Sequence, residues 1–226
     1  MLPFLVLFIP NLWVNHILKK YNKILPDMPF TGKELGDRIL KEKKIENVLI
    51  KPIKQMDHYN PLEKKIHIGE DKINKQSITS ISVVAHEIGH AMQDKENYKP
   101  LQLRQTLVEK TLIFQRLGSL LLVIGLPSIF AFTKSPFITF IAAIIIMGCL
   151  STNVLIHFIT LPVEFDASKR ALQILQKYVP KTNMRQCKSV LRAAAFTYLA
   201  QSIVSIFRLK ILLVSFINIF KSIIRR

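Results

Sequence analysis

Cysteine is nearly absent: Cys149 and Cys187 are the two thiols in 226 residues. Two thiols make neither a disulfide framework nor a structural zinc site built mainly of thiolates. Cys149 lies in an apolar run and Cys187 in a basic segment, so they are not expected to pair, and a reducing compartment is implied. Acidic residues are scarce as well, 15 Asp and Glu against 32 Lys and Arg, for a formal net charge of +17. Such an excess can serve nucleic acid, anionic lipid or membrane topology. The chain carries no RNP-like aromatic pattern, zinc finger or helix-turn-helix signature, so nucleic acid is not expected as a partner. A secretory signal is missing too. The cations Lys19-Lys20 follow the first apolar run instead of preceding it, and no Ala-x-Ala-like cleavage site comes after it. There is no internal repeat and no low-complexity tract.

What the chain has in quantity is apolar residues, 50% of the total. A soluble globular protein does not combine that share with +17 unless the apolar residues cluster in runs and the charges lie between them. Here they do, which is the pattern of a membrane protein. An N-terminal transmembrane helix is expected over 1–18, interrupted by Pro10 and Asn11, and a polar segment over 19–116. A transmembrane hairpin follows over 117–161, turning at Thr133-Lys-Ser-Pro136. A polar helix is expected over 162–192, and a C-terminal membrane segment over 193–226, broken by Arg208 and Lys210 and read as either a fourth span, which is favoured, or an amphipathic segment at the interface. The hairpin tip carries one Lys, whereas residues 162–201 carry seven Lys or Arg. By the basic-residue bias, both polar segments face the cytoplasm, against anionic lipid.

One stretch carries chemistry: His86-Glu87-Ile-Gly-His90. At i and i+4 of a helix, two imidazoles share a face and can bind one tetrahedral zinc. Glu87, about 100° round the helix, can take a proton from a zinc-activated water and pass it to the leaving amine. With six His and nine Glu, chance supplies about 0.006 such patterns in a chain of this length. Gly89 between the histidines is unfavourable in a helix by about 1 kcal/mol. Its missing side chain leaves room for another element to approach.

A catalytic zinc needs a third protein ligand and an open position. No histidine follows His90 before His157, so the candidates are His157, Glu164 and Asp166. Pro162 suits the first turn of a new helix. On that helix Glu164 shares a small, apolar stripe with Ala167, Ser168, Ala171 and Leu172, whereas Asp166 lies with Lys169 and Arg170 on the solvated side. A carboxylate on the inward stripe needs a partner, which favours Glu164 and one zinc per chain. Residues 56–69 read as a hairpin turning at Asn60-Pro61, with His58 and His67 as strand residues rather than ligands. It is either a surface hairpin or an edge strand that pairs with an extended peptide. Leu101–Arg116 reads as a partly amphipathic packing helix.

The segments Asp57-His-Tyr-Asn60, Val84-Ala-His-Glu-Ile-Gly-His-Ala-Met-Gln-Asp94, Leu101-Gln-Leu-Arg104 and Leu161-Pro-Val-Glu-Phe-Asp-Ala-Ser168 together resemble the bacterial YugP-like neutral zinc metallopeptidases. The resemblance runs over most of the chain and implies an integral membrane, zinc-dependent hydrolase in the bacterial cell membrane. More distantly, the layout is similar to the HtpX and CAAX-prenyl membrane proteases, in which a downstream Glu-Phe-x-Ala-Asp-type segment supplies the third ligand. Here Ser168 stands where that pattern ends in an acidic residue.

The expected fold is therefore mainly α: an integral membrane helical protein with a zincin-like metallopeptidase core and a small β-hairpin. The expected substrate is a peptide or membrane protein cleaved near the cytoplasmic face. A zinc-binding membrane scaffold without proteolytic activity is the alternative. A site-2-type intramembrane protease does not fit, because the apolar stretch around His86 is short and bounded by charges.

Overall fold

The computed structural model describes residues 12–54 and 56–224. The first eleven residues of the expected N-terminal span lie outside the described residues; 12–20 are helical and form α1. The chain divides into two compact units, one of Met1–Gln102 with Thr160–Leu199, the other of Leu103–Ile159 with Ala200–Arg226.

In the first unit, Thr31 starts helix α2 (Gly32–Glu42) with a capping box: its hydroxyl accepts from the Glu34 N–H at 3.2 Å, and the Glu34 carboxylate accepts from the Thr31 N–H at 2.8 Å. Leu35, Ile39 and Leu40 form the buried stripe of α2. Gly36 lets it close on the next long helix, since a Cβ there would lie 2.6 Å from Val84 Cγ1. Strands β1 (Leu49–Ile53), β2 (His58–Asn60) and β3 (Lys65–Gly69) form a sheet in the order β1-β3-β2. The β2–β3 pair is the expected hairpin, antiparallel with His58 opposite His67. Strand β1 runs parallel to β3, with Ile50 opposite Ile66. Its Pro52 is tolerated because β1 is an edge strand and needs no ladder N–H on its free side.

A short helix, α3 (Glu70–Ile73), leads to α4 (Ile78–Lys95), capped by the Ser77 hydroxyl accepting from Ser80 N–H at 3.1 Å. From Ile78 to Ala91 every residue of α4 is buried. Such a helix is central to its unit, not a surface helix with one wet face. Ile81, Val84 and Ile88 join Leu35, Ile66, Ile68 and Leu175 in one core.

The second unit is helical and apolar on its outside. Helix α5 (Lys99–Leu120) begins in the first unit and continues through a π-helical turn, Leu121–Gly125, into α6 (Leu126–Thr133). The wide turn lies just before Pro127, whose ring and missing N–H disturb regular α-geometry one turn upstream. Lys134 ends α6 in the left-handed region at φ 47°, as the expected tight connection requires.

Helices α7 (Pro136–Tyr178) and α8 (Lys181–Ile224) follow, and both pass from one unit to the other. Three helical stretches, Lys99–Thr133, Phe137–Tyr178 and Lys181–Asn218, are long and apolar enough to cross a membrane. Large apolar side chains such as Val123, Phe132, Ile145 and Phe158 are exposed along them, as lipid-facing residues would be.

One expectation needs correction. Pro162 does not begin a new helix; it lies inside α7, which runs unbroken through it. The proline occupies an exposed position while Val163, Glu164 and Ala167 anchor the opposite face in the core. Packing there outweighs the one backbone bond it removes. Arg208 and Lys210, which break the apolar run, lie within the continuous helix α8.

Candidate metal centre

Helix α4 carries His86, Glu87 and His90, and all three are buried. Helix α7 brings Glu164, 1% exposed, against them. The close approach depends on Gly89. A Cβ at that position would lie 2.6 Å from the Ala167 carbonyl oxygen and 3.1 Å from its Cα. The two helices therefore touch backbone to backbone, one turn beyond Glu164. Gly89→Ala should force them apart and destabilise the protein by about 1–3 kcal/mol, read as a lower thermal midpoint in detergent together with weaker zinc retention.

Glu164 Oε2 lies 3.1 Å from His86 Nε2 and 3.4 Å from His90 Nε2. One donor atom from each of the three residues falls within 4.8 Å of the others, the one such cluster among the described residues. A tetrahedral zinc with bonds of ~2.0–2.1 Å separates its ligand atoms by roughly 3.3–3.4 Å. Both histidine–carboxylate distances fit that requirement, and so does the donor set of two imidazoles and one carboxylate. The two rings stand nearly perpendicular, at 86° with centroids 4.8 Å apart, so their Nε2 atoms reach the centre from different directions.

The other ring nitrogens are held as metal-binding imidazoles require. His90 Nδ1 lies 2.9 Å from Gln93 Oε1. The Gln93 Nε2 donates at 2.9 Å both to the Val163 carbonyl and to Asp166 Oδ2. Its oxygen therefore faces His90 and accepts from Nδ1–H, leaving the Nε2 lone pair directed at Glu164. Ser168 Oγ lies 3.2 Å from His86 Nδ1 and positions that ring. Beyond Gln93, Asp166 accepts from Arg170 Nε at 2.6 Å, and Arg170 reaches Glu96 at 2.7 Å.

Asp166 thus needs correcting too. It was expected on the solvated side of its helix, yet it is part-buried and serves the centre through Gln93. Replacing Gln93 by Leu, of similar size, should lower zinc affinity about 10–100-fold with the helix content unchanged. Competition with a chelating dye measures it.

Glu87 is buried beside the cluster. Burial pushes its carboxyl up to about 7, and the Glu164 and Asp57 carboxylates add to the rise. His86 and the backbone N–H of Tyr59 on β2 oppose it. Tyr59 is itself anchored, its hydroxyl donating to Asp94 Oδ2 at 2.6 Å. His157 lies in the second unit, outside the cluster. His58 and His67 stack across the hairpin, with centroids 4.8 Å apart.

The profile of a family described as "Putative neutral zinc metallopeptidase" matches residues 1–217. The chain belongs to that family. The metallopeptidase-family assignment has a curated relative beside it, the "Putative membrane protease YugP" of Bacillus subtilis (strain 168). That protein is 33% identical over 213 residues, which cover 91% of this chain and 89% of the relative. No solved structure matches. A zinc peptidase family implies zinc, and the cluster of His86, His90 and Glu164 could hold one.

Sequence reasoning assigned no role to Gln93 or Ser168. Gln93 had one usable signal, its position three residues after His90 on the same helix. Ser168 had its place one turn after Glu164.

Proposed function

We propose that this chain is a membrane-embedded zinc metallopeptidase that hydrolyses peptide bonds near the cytoplasmic face of a bacterial membrane. The observation that supports it most is the convergence of His86, His90 and Glu164 at zinc-ligand spacing beside a buried carboxylate that is not needed to bind the metal. Zinc held by these three residues supplies Lewis acidity, which polarises a scissile carbonyl and makes water a nucleophile near neutral pH.

The chain's own groups do the rest. Glu87 takes the proton from the attacking water and delivers it to the departing amine. A carboxyl with a pKa near 7 is suited to both halves of that transfer, because neither form is strongly preferred at neutral pH. The Tyr59 N–H on β2 orients it. Gln93 keeps the His90 imidazole in the tautomer that presents Nε2, and Ser168 positions the His86 ring. Strand β2 is an edge strand beside α4. Its backbone can pair with an extended substrate and hold the scissile bond in place. The charge bias of the polar segments supports a cytoplasmic position for this zincin-like core.

The test is zinc content and cleavage of a quenched, unfolded protein substrate by the full chain in detergent. One zinc per chain is expected, with cleavage that a chelator stops and added zinc restores. Cleavage indifferent to the chelator would overturn the reading. One tightly bound zinc with no cleavage of any unfolded substrate would point instead to the scaffold.

A further inference from the structure

Beyond Glu164, helices α7 and α8 leave a groove that the proposed chemistry does not use. It encloses about 630 Å³ and is lined by residues 165–176 of α7 and 188–199 of α8, all within the first unit. At 1.5 Å per residue those stretches make it about 16 Å long. Its floor is apolar, formed by Leu172, Leu191, Ala195 and Phe196.

Around the floor stand Lys169, Lys188 and Arg192, and no acidic residue lines the groove. All three cations are exposed. A surface that sets three cations over an apolar trough, with no carboxylate to neutralise them, is complementary to an anionic head joined to an alkyl chain.

The groove is also graded along its length. The chain reverses at Val179-Pro180, between α7 and α8. The lining therefore runs from Gln173 and Gln176 nearest the turn, past Lys188, Lys169 and Arg192 midway, to Phe165, Phe196 and Leu199 at the other end. By sequence, α8 enters its long apolar run at the latter end. Head toward the turn and chain toward the apolar run is the orientation a bilayer lipid already has where helices leave the membrane.

We infer that this groove binds one anionic phospholipid, its phosphate held by Lys169, Lys188 and Arg192 and an acyl chain laid along Leu191, Ala195 and Phe196. A membrane lipid is favoured over a protein partner because both walls are membrane-capable helices. An anionic amphiphile is thus supplied at high concentration with no separate recruitment. Ser168 lines the groove and contacts His86, so the lipid would lie one side chain from the candidate metal centre.

The chain carries its own reporter. Trp13 is its single tryptophan, and its ring meets Phe196 edge-on with centroids 5.5 Å apart. The full chain is reconstituted in mixed phosphatidylcholine–phosphatidylglycerol bilayers, with brominated acyl chains on one lipid or the other, and Trp13 quenching is compared. The brominated phosphatidylglycerol should quench with at least about fivefold higher relative affinity, and each cation neutralised should cost about fivefold.

Lys169→Gln/Lys188→Gln/Arg192→Gln should abolish the preference. Lys33→Gln/Lys41→Gln/Lys51→Gln, with the same change of net charge, should keep it. Ala195→Leu, which fills the floor and leaves every charge in place, should weaken quenching by the phosphatidylglycerol. Circular dichroism checks that each variant is folded. Equal quenching by the two lipids, or equal loss in the two triple variants, overturns the proposal and leaves the groove to a substrate side chain. The readout is lipid binding, so its failure and that of the peptidase reading are distinguishable.

Discussion

Glu87→Gln is expected to remove peptide hydrolysis, by at least 10²–10⁴-fold, while one zinc stays bound. The substitution keeps size and shape in a buried position, so the cavity beside the cluster is unchanged. What it removes is a group that can accept the water's proton at one moment and return it at the next. His86, His90 and Glu164 are untouched, and zinc content should match the parent protein.

The metal-free chain adds a second readout with a definite sign. Burial holds the Glu87 carboxyl at about 7, above its ordinary 4.5. A group raised in this way stabilises the fold while it is protonated in both states, below about 4.5. That contribution is lost as pH climbs through 7, where the folded chain must bury a charge. Glutamine never carries that charge. The metal-free variant should therefore melt close to the metal-free parent at pH 5 and above it at pH 8, by up to about 3 kcal/mol. Full activity in the variant would remove Glu87 from the chemistry. Loss of zinc would make it a ligand.

The parts of the site legible in the sequence are those that a single helix determines. His86 and His90 share a face because the α-helical period puts i and i+4 together, whatever surrounds them. Glu164 could be read from its stripe, because a carboxylate among Ala167, Ala171 and Leu172 has to meet something. Gly89 was legible as a vacancy but not for what fills it, since the Ala167 backbone lies 78 residues further along the chain.

Gln93 shows where this reading stops. It is an ordinary helix former, and its function comes from three partners, one of them local and two contributed by α7 at Val163 and Asp166. Asp166 was misjudged for the same reason: its side of the helix also carries Lys169 and Arg170, and only the folded chain shows α4 laying Gln93 across it. Among the strands, β2 and β3 follow from a turn signal between them. Strand β1 contains a proline and pairs in parallel with β3, the far strand of the hairpin, a contact that no local pattern announces. Local propensity also over-read Pro162, whose position at the start of a helix is a preference that packing around Val163 and Ala167 overrides.

The other large effect expected is on the metal itself. Glu164→Gln should lower zinc affinity at least a hundredfold, beyond the 10–100-fold typical of a partner that only orients a ligand. The carboxylate is the one anionic donor in the cluster. Without it, two neutral imidazoles must hold a dication in a buried site, and an amide oxygen of the same reach does not offset that charge.

The comparison that gives the result meaning uses the two other residues weighed as third ligand. Asp166→Asn perturbs the centre only through Gln93 and should cost no more than about 100-fold. His157→Gln, outside the cluster, should leave zinc binding unchanged. Dialysis of the three variants and the parent against graded chelator, followed by metal analysis, ranks them directly. If Glu164→Gln keeps parental affinity while Asp166→Asn or His157→Gln loses it, the ligand set of His86, His90 and Glu164 is wrong. The ranking Glu164 over Asp166 over His157 would follow from the geometry alone, since the effect of each residue falls with the number of side chains between it and the two histidines.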